Sequence, residues 1–215
     1  MSESNSTPWR RTRLALALVA ACSVCAVAQA REFFLAFDQV KALRHPVLIA
    51  YYEAGQDPQR GFYYYTSEFE PSPTLDELLR HGKARWSPAE AVRFVREMAG
   101  GLAQGKPQIL HLNLSPRTIR LRRDGYPRVE GMGLVQALPQ MLGPNHERTG
   151  PYHAPELRDP LGTVDQRADV FSLGGILYTL LTGEVPGRRI SPPSYLEEGI
   201  PARLDDVVLR CLSPL

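Results

Sequence analysis

An uncharged segment from Val170 to Leu181 constrains the fold of this chain more than any other feature. Its residues are nearly all apolar, and they include Gly174 and Gly175. A helix that is apolar on every side is stable only when a core surrounds it. The chain has 215 residues, of which 43% are hydrophobic and 22% are charged. The sequence therefore predicts a globular protein of one domain or two small lobes that contains one buried helix.

Charge and cysteine content exclude several classes of protein. The formal net charge is +2, and the arginines are scattered among acidic residues, so no basic face predicts a nucleic-acid partner. The three cysteines, Cys22, Cys25 and Cys211, cannot form a closed disulfide framework, because one is always left over. Cys22 and Cys25 form a C-x-x-C without a second cysteine pair or a nearby histidine. We expect reduced thiols and no metal site.

The first thirty residues fit two interpretations. Arg10, Arg11 and Arg13 precede an uncharged stretch, Leu14–Ala30, that ends in small residues, which is the layout of an export signal. With roughly 17 residues this stretch is at the lower limit for crossing a bilayer. Alternatively, Leu14–Val19 is a buried strand that a loop follows. The sequence alone leaves both interpretations open.

From residue 31 onward, helical and strand patterns alternate. Apolar residues at helical spacing from Phe33 to Leu43 predict a helix that ends near His45–Pro46. Val47–Tyr52 and Phe62–Phe69 are rich in aromatic and β-branched residues and predict two strands. Ala54–Arg60 contains glycine, aspartate and proline, so we expect it to form the turn between these strands.

Further downstream the pattern is mainly helical. Thr74–Glu77 begins a short helix, and Ser87–Glu90 is a capping-box start to a longer helix that runs towards Gln104. Ile119–Leu121 and Arg128–Glu130 flank an Asp-Gly turn and predict a small hairpin. The predicted apolar face of the longer helix consists of Val92, Val95, Met98 and Ala99.

Six segments follow one another along the chain: Leu43–Ile49, Glu68–Glu70 with Leu75, His111–Ile119, Glu130–Leu134, Thr149–Glu156 and Asp169–Gly174. Their sequences and their order resemble those of the protein kinase family, serine/threonine type. In turn they resemble the end of the regulatory helix with the next strand, the interlobe hinge, the catalytic loop, the metal-binding segment, the end of the activation segment and the start of a buried helix.

The resemblance implies an α+β, protein-kinase-like fold. Its N-terminal β lobe is reduced and carries one regulatory helix, and its C-terminal lobe is mainly helical. Three segments follow from it: an apolar N-terminal segment over residues 1–30, a partial N-lobe with the hinge over 31–70, and a truncated C-lobe over 71–215. His111, Asp169 and Ala154–Glu156 are predicted to hold the C-lobe together.

The resemblance also implies that the residues for phosphoryl transfer are replaced. Asn113 stands where the family has the aspartate that accepts the substrate proton, and a neutral amide does not take up a proton near neutral pH. Thr118 and Gly131 stand at the two magnesium-ligand positions, and Ser115 stands at the position of a lysine near the transferred group. We therefore expect no intact catalytic residue and no bound metal.

The upstream nucleotide-binding elements are altered as well. If the strand interpretation of the N-terminus holds, Ala17 stands at the position of the phosphate-binding lysine and Ala36 at that of its glutamate partner. No glycine-rich loop precedes them. The hinge residues Glu68, Phe69 and Glu70 are the remaining candidates for contact with a nucleotide. We expect no cofactor, with ATP and magnesium as the alternative.

Other side chains that often carry chemistry are predicted to be structural. Glu130 precedes Gly131, but neighbouring side chains of a strand point to opposite faces, so we expect no magnesium ligand there. We expect a solvated face at Arg120, Arg122 and Arg123, and ordinary loop residues at His146 and His153. We expect strand packing for Tyr63, Tyr64 and Tyr65.

Together these features predict a pseudokinase that scaffolds or regulates through protein binding. The alternatives are a serine/threonine kinase with weak or unorthodox ATP-dependent activity and an inactive truncated fragment. We expect an unidentified protein partner, no nucleic acid, and contact through Glu32–Leu43 or Arg128–Tyr152. The family resemblance implies a cytoplasmic location. Export or membrane anchoring through Leu14–Ala30 is the alternative.

Overall fold

The computed structural model describes residues 12–16, 25–57, 59, 63–82, 86–105, 109–137, 150–159 and 163–213. Its N-terminal part contains strand β1 (Thr12–Leu16), helix α1 (Cys25–Lys41) and strands β2 (Tyr51–Gln56) and β3 (Tyr63–Glu68). The three strands form an antiparallel sheet in the order β1-β3-β2, with Thr12 opposite Glu68. Strand β1 supports the strand interpretation for residues 14–16, and Ala17 lies outside the described residues.

The rest of the described chain is mainly helical. The elements are α2 (Leu75–Arg80), α3 (Pro88–Leu102), β4 (Ile119–Leu121), β5 (Pro127–Val129), α4 (Leu134–Ala137), α5 (Arg167–Thr182), α6 (Pro193–Leu196) and α7 (Arg203–Cys211). The short strands β4 and β5 pair as an antiparallel hairpin, as predicted. Among the described helices, none is long and apolar enough to cross a membrane.

Helix α1 packs on the sheet through one aromatic face. Phe33, Phe37 and Val40 are buried against Tyr51 and Tyr63. The helix starts at Cys25, earlier than the hydrophobic pattern predicts. Alanines are strong helix formers, so the residues after Cys25 extend the helix upstream of its aromatic face.

The segment 47–49 pairs outside the N-terminal sheet, so the prediction of a strand over Val47–Tyr52 was wrong at its start. The Ile49 amide donates to the Val129 carbonyl at 3.0 Å, and the Val129 amide donates to the Val47 carbonyl at 2.7 Å. This segment therefore pairs with β5, and strand β2 begins only at Tyr51.

Helix α5 forms the centre of the C-terminal core, as its uncharged sequence predicts. All its residues from Ser172 to Thr182 are buried, and it packs between α3 and α7. It ends at Gly183, whose φ of 74° suits a glycine at a helix C-terminus.

Helices α2 and α3 begin where predicted, and α3 begins at the predicted capping box. At α3, the Ser87 hydroxyl accepts from the Glu90 amide at 3.3 Å, while the Glu90 carboxylate accepts from the Ser87 amide at 2.9 Å. The predicted apolar face of α3 was partly wrong, because Val92 and Ala99 are exposed. The buried stripe runs one residue earlier and consists of Ala91, Phe94, Met98, Gly101 and Leu102.

Candidate functional site

Asp169, in the first turn of α5, fixes the loop that follows α3. Its two carboxylate oxygens accept hydrogen bonds from the backbone amides of His111 and Leu112, each at 2.8 Å. Leu112 has a φ of 57°, a conformation that costs free energy for a residue with a Cβ. The bonds to a buried carboxylate compensate for that cost. The predicted role of His111 and Asp169 in holding the C-lobe agrees with these contacts.

The His111 ring is fully buried and connects two backbone segments. Its Nε2 lies 2.8 Å from the Glu130 carbonyl oxygen, and the Asn113 amide donates to its Nδ1 at 3.3 Å. A carbonyl only accepts and an amide only donates, so the neutral Nε2–H tautomer satisfies both bonds. Burial lowers the pKa of His111, although the Asp169 carboxylate opposes that change.

Asn113 contacts a histidine from the segment 150–159. Its Oδ1 lies 3.0 Å from Nε2 of His153, which is buried. His153 is therefore not an ordinary loop residue, and the prediction for it was wrong; His146 lies outside the described residues. The glycine at position 150 leaves room for the His153 ring, because a Cβ at this position would lie 3.0 Å from that ring.

The Thr118 hydroxyl is engaged within its own loop. It accepts from the Ser115 amide at 3.1 Å and lies 3.0 Å from the Ser115 carbonyl and 3.3 Å from the Asn113 carbonyl. A hydroxyl has one proton to donate and two lone pairs. These contacts tie the ends of the short turn Pro116–Thr118 together.

Gly131 lies at the lobe junction in a backbone conformation with a φ of 93°. Its amide donates to the hydroxyl of Tyr51, on β2, at 3.0 Å. Burial raises the pKa of Tyr51 above its ordinary value, and neighbouring Tyr65 adds to this, so the hydroxyl stays protonated. The sequence carried no signal for this contact.

Arg120 points into the junction between the lobes. Its guanidinium pairs with the Glu130 carboxylate and donates to the Ser72 carbonyl at 2.7 Å. Only 18% of its side chain is exposed. The prediction of a solvated arginine face was therefore wrong for Arg120, whereas Arg122 and Arg123 are exposed.

The hinge candidates lie where β3 leaves the sheet. Glu68 pairs with the buried Arg128, whose guanidinium also donates to the Pro46 carbonyl at 2.6 Å. Glu70 accepts from the amide and the hydroxyl of Ser72, at 3.1 and 2.7 Å. Phe69 lies between them and is half-buried.

A cavity of about 150 Å³ opens beside the hinge, between the two lobes. It brings together Glu68, Phe69, Glu70 and Gly131 from the predicted site residues. Tyr51, Tyr65, Ile49, Ser67, Arg120 and Glu130 complete its lining. Asn113 and Thr118 do not line this cavity, and Ala36 packs in the aromatic cluster under α1.

These residues do not fit magnesium-bound nucleotide. Magnesium prefers carboxylate oxygens, but Gly131 has no side chain and the Thr118 hydroxyl is bonded within its loop. The carboxylate of Glu130, the residue before Gly131, is paired with Arg120. Within the described ranges, no group of three histidine, cysteine, aspartate or glutamate side chains is placed to hold a metal ion.

Comparison with known proteins identifies the family. The family model of the protein kinase domain matches residues 29–200. Serine/threonine-protein kinase PknB of Mycobacterium tuberculosis is 28% identical over 208 residues, which cover 85% of this chain and 33% of PknB. PknL of the same organism is 29% identical over 201 residues, which cover 82% of this chain and 48% of PknL. The chain thus spans about a third to a half of the length of these relatives.

Solved structures confirm the predicted fold class. The crystal structure of the Mycobacterium tuberculosis PknI kinase domain is similar to this chain with a TM-score of 0.71 and 21% identity. The match covers 95% of this chain and 78% of that domain, and the C20A mutant of the same domain gives a TM-score of 0.72. The family match and the shared fold lead to one conclusion: this chain belongs to the protein kinase domain family.

Proposed function

We propose that this chain is a pseudokinase, a kinase-like domain that does not transfer phosphoryl groups and that regulates by binding another protein. The observation that carries the proposal is Asn113, an amide at the position of the catalytic base. Its Oδ1 faces Nε2 of His153 at 3.0 Å. An amide with this contact has no lone pair of sufficient basicity to accept a substrate proton.

The environment of the two magnesium positions supports the proposal. The hydroxyl of Thr118 closes its own loop, and Gly131 offers only a backbone amide, which is bonded to Tyr51. Phosphoryl transfer depends almost entirely on positioning and on charge stabilisation by metal ions and cationic side chains. A domain without these groups keeps the kinase fold but loses the means of catalysis.

The retained contacts support a role for the folded domain itself. Asp169 accepts from the backbone amides of His111 and Leu112 and so connects α5 to the loop that carries Asn113. For the partner we propose a protein that contacts the outer face of α1, where Leu35 is 56% exposed. We also propose a cytoplasmic location, which the resemblance to the protein kinase family implies.

A phosphoryl-transfer assay tests the proposal. The full chain is incubated with radiolabelled ATP and magnesium, alone and with a general acceptor protein, beside the matched variant Asn113→Ala. We expect no incorporation above background and no magnesium-dependent rise in the unfolding midpoint. Incorporation by the wild-type chain that Asn113→Ala abolishes would contradict the proposal, because it would assign a catalytic role to this side chain.

A further inference from the structure

We infer that Arg120 acts as an internal plug, a side chain of the protein that fills the interlobe cleft and excludes an adenine ring from it. The inference rests on the proposed function and concerns the interlobe cleft of the same domain. Arg120 belongs to β4, and its backbone forms an isolated antiparallel bridge with Thr74, just after the hinge. The bridge fixes the backbone of Arg120 beside the residues that follow the hinge.

Two anchors on opposite sides fix the guanidinium. Nε pairs with the carboxylate of Glu130, next to Gly131, and Nη1 donates to the Ser72 carbonyl on the hinge side at 2.7 Å. The amide and hydroxyl of Ser72 are hydrogen-bonded to Glu70, which restricts movement of the Ser72 carbonyl that Arg120 contacts. A ligand at this place must break two hydrogen bonds, one of them between charged groups, and must leave polar groups unsatisfied.

The cavities around Arg120 indicate how much space the plug occupies. A cavity of about 150 Å³ lies on the side of Tyr51 and Tyr65, and one of about 490 Å³ lies on the side of Pro71 and Leu78. Arg120 lines both cavities. Small-molecule sites take about 300–1,000 Å³, so the interlobe cavity by itself is too small. We expect removal of the Arg120 guanidinium to join the interlobe cavity to the larger cavity beside Pro71 and Leu78.

Charge and shape define the class of ligand that the opened cleft accepts. Ile49, Tyr51 and Tyr65 give the cavity an apolar, aromatic wall, which suits a planar heterocycle such as adenine. The carboxylates of Glu68, Glu70 and Glu130 lie at the same cavity and repel a triphosphate. An uncharged adenine nucleoside is therefore the suitable probe.

The test is the double variant Arg120→Leu/Glu130→Gln. Both partners are neutralised together, because removal of one charge alone leaves the other unpaired. The backbone carbonyl of Glu130, which His111 contacts, is retained. The matched control is Arg122→Leu/Asp124→Asn, which removes an exposed ion pair of 3.0 Å from the same hairpin.

Binding of adenosine to the full chain is measured by calorimetry and by the unfolding midpoint. We expect the double variant to bind adenosine at least ~10-fold more tightly than the wild-type chain and the control variant. Equal affinity of a cooperatively folding double variant and the wild-type chain would overturn the plug. Loss of cooperative unfolding in the double variant and in Arg120→Ala would also overturn it, because the ion pair would then be a requirement of the fold.

These outcomes are distinct from failure of the proposed function. A double variant that does not bind adenosine overturns the plug but leaves a pseudokinase. Phosphoryl transfer by the wild-type chain overturns the proposed function, whatever the affinity of the variant for adenosine.

Discussion

At the scale of single residues, one carboxylate determines the shape of the loop that carries Asn113. Asp169 accepts two backbone amides at 2.8 Å inside the C-lobe, and one of them belongs to Leu112 in its left-handed conformation. These two hydrogen bonds therefore fix the geometry of the loop that carries Asn113.

Asp169→Asn tests this role. The asparagine keeps the size of the side chain, but it replaces one acceptor oxygen with a donor that faces an amide. We expect the free energy of unfolding to fall by about 2–3 kcal/mol, since hydrogen bonds to a buried charged group are lost. Urea denaturation measures the change. The control Asp206→Asn, at an exposed position of α7, should change stability by less than ~0.5 kcal/mol.

His111 gives a prediction about pH. Burial lowers its pKa in the folded protein below the ordinary value of 6.5, so in mildly acidic solution the unfolded chain binds a proton that the folded chain does not. The stabilising contribution is therefore complete above pH 6.5 and is lost as the pH falls towards the lower folded-state pKa. The slope cannot exceed about 1.4 kcal/mol per pH unit for one proton.

His111→Gln isolates that contribution, because glutamine keeps a donor for the Glu130 carbonyl but does not titrate. We expect wild-type stability to fall more steeply than that of the variant between pH 7.5 and pH 5.5, values that bracket the ordinary histidine pKa of about 6.5. Urea denaturation at three pH values measures this difference. Parallel pH profiles would show that His111 titrates equally in the folded and unfolded chains.

At the scale of elements, close packing of α5 against α7 depends on a glycine. A Cβ at Gly174 would lie 2.5 Å from Cβ of Cys211, which is shorter than any ordinary carbon contact. Gly100, in the last turn of α3, has its nearest neighbour, the His45 ring, at 4.0 Å. Both glycines are helical, but their tertiary environments are opposite.

Alanine at each position separates these effects. Gly100→Ala should stabilise the protein by up to about 1 kcal/mol, because alanine favours a helix. Gly174→Ala should destabilise it by about 1–3 kcal/mol, because α7 must move away from α5. Chemical denaturation of both variants measures the two values. If both variants were stabilised, α5 and α7 would not be in the contact described.

At the scale of the whole molecule, two arginines of the β4–β5 hairpin connect the lobes. Arg120 reaches Ser72 and Glu130, and Arg128 reaches Glu68 and the Pro46 carbonyl. Since the hinge and the segment 47–49 are both bonded to this hairpin, we expect the lobes to move little relative to each other.

Arg128→Leu tests this coupling. It removes a side chain that is only 9% exposed and leaves Glu68, itself one-third exposed, without its cation. We expect a loss of about 2–4 kcal/mol, reduced by solvent screening of Glu68. Hydrogen exchange should accelerate in peptides from residues 46–69 and stay unchanged in α5. Arg122→Leu is the exposed control, and uniform acceleration would contradict a local coupling.

Elements that depend on local chemistry could be predicted from the sequence alone. The capping residues at Thr74 and Ser87 and the uncharged segment Val170–Leu181 act within a few residues, so the start of α2 and the bounds of α3 and α5 were predicted closely. The resemblance to the protein kinase family also gave the fold class and the roles expected of positions 113, 118 and 131. These features need no knowledge of what lies nearby in space.

Contacts between residues that are distant in the sequence depend on the tertiary structure. Val47 and Ile49 pair with Val129, His153 reaches Asn113, and Tyr51 bonds to Gly131 across the lobe junction. Arg120 belongs to a hairpin in which Arg122 and Arg123 are exposed, and its inward direction follows from the positions of Ser72 and Glu130. Hydrophobic periodicity reports the face of an element that is buried, but the partner of a side chain depends on how the chain brings distant segments together.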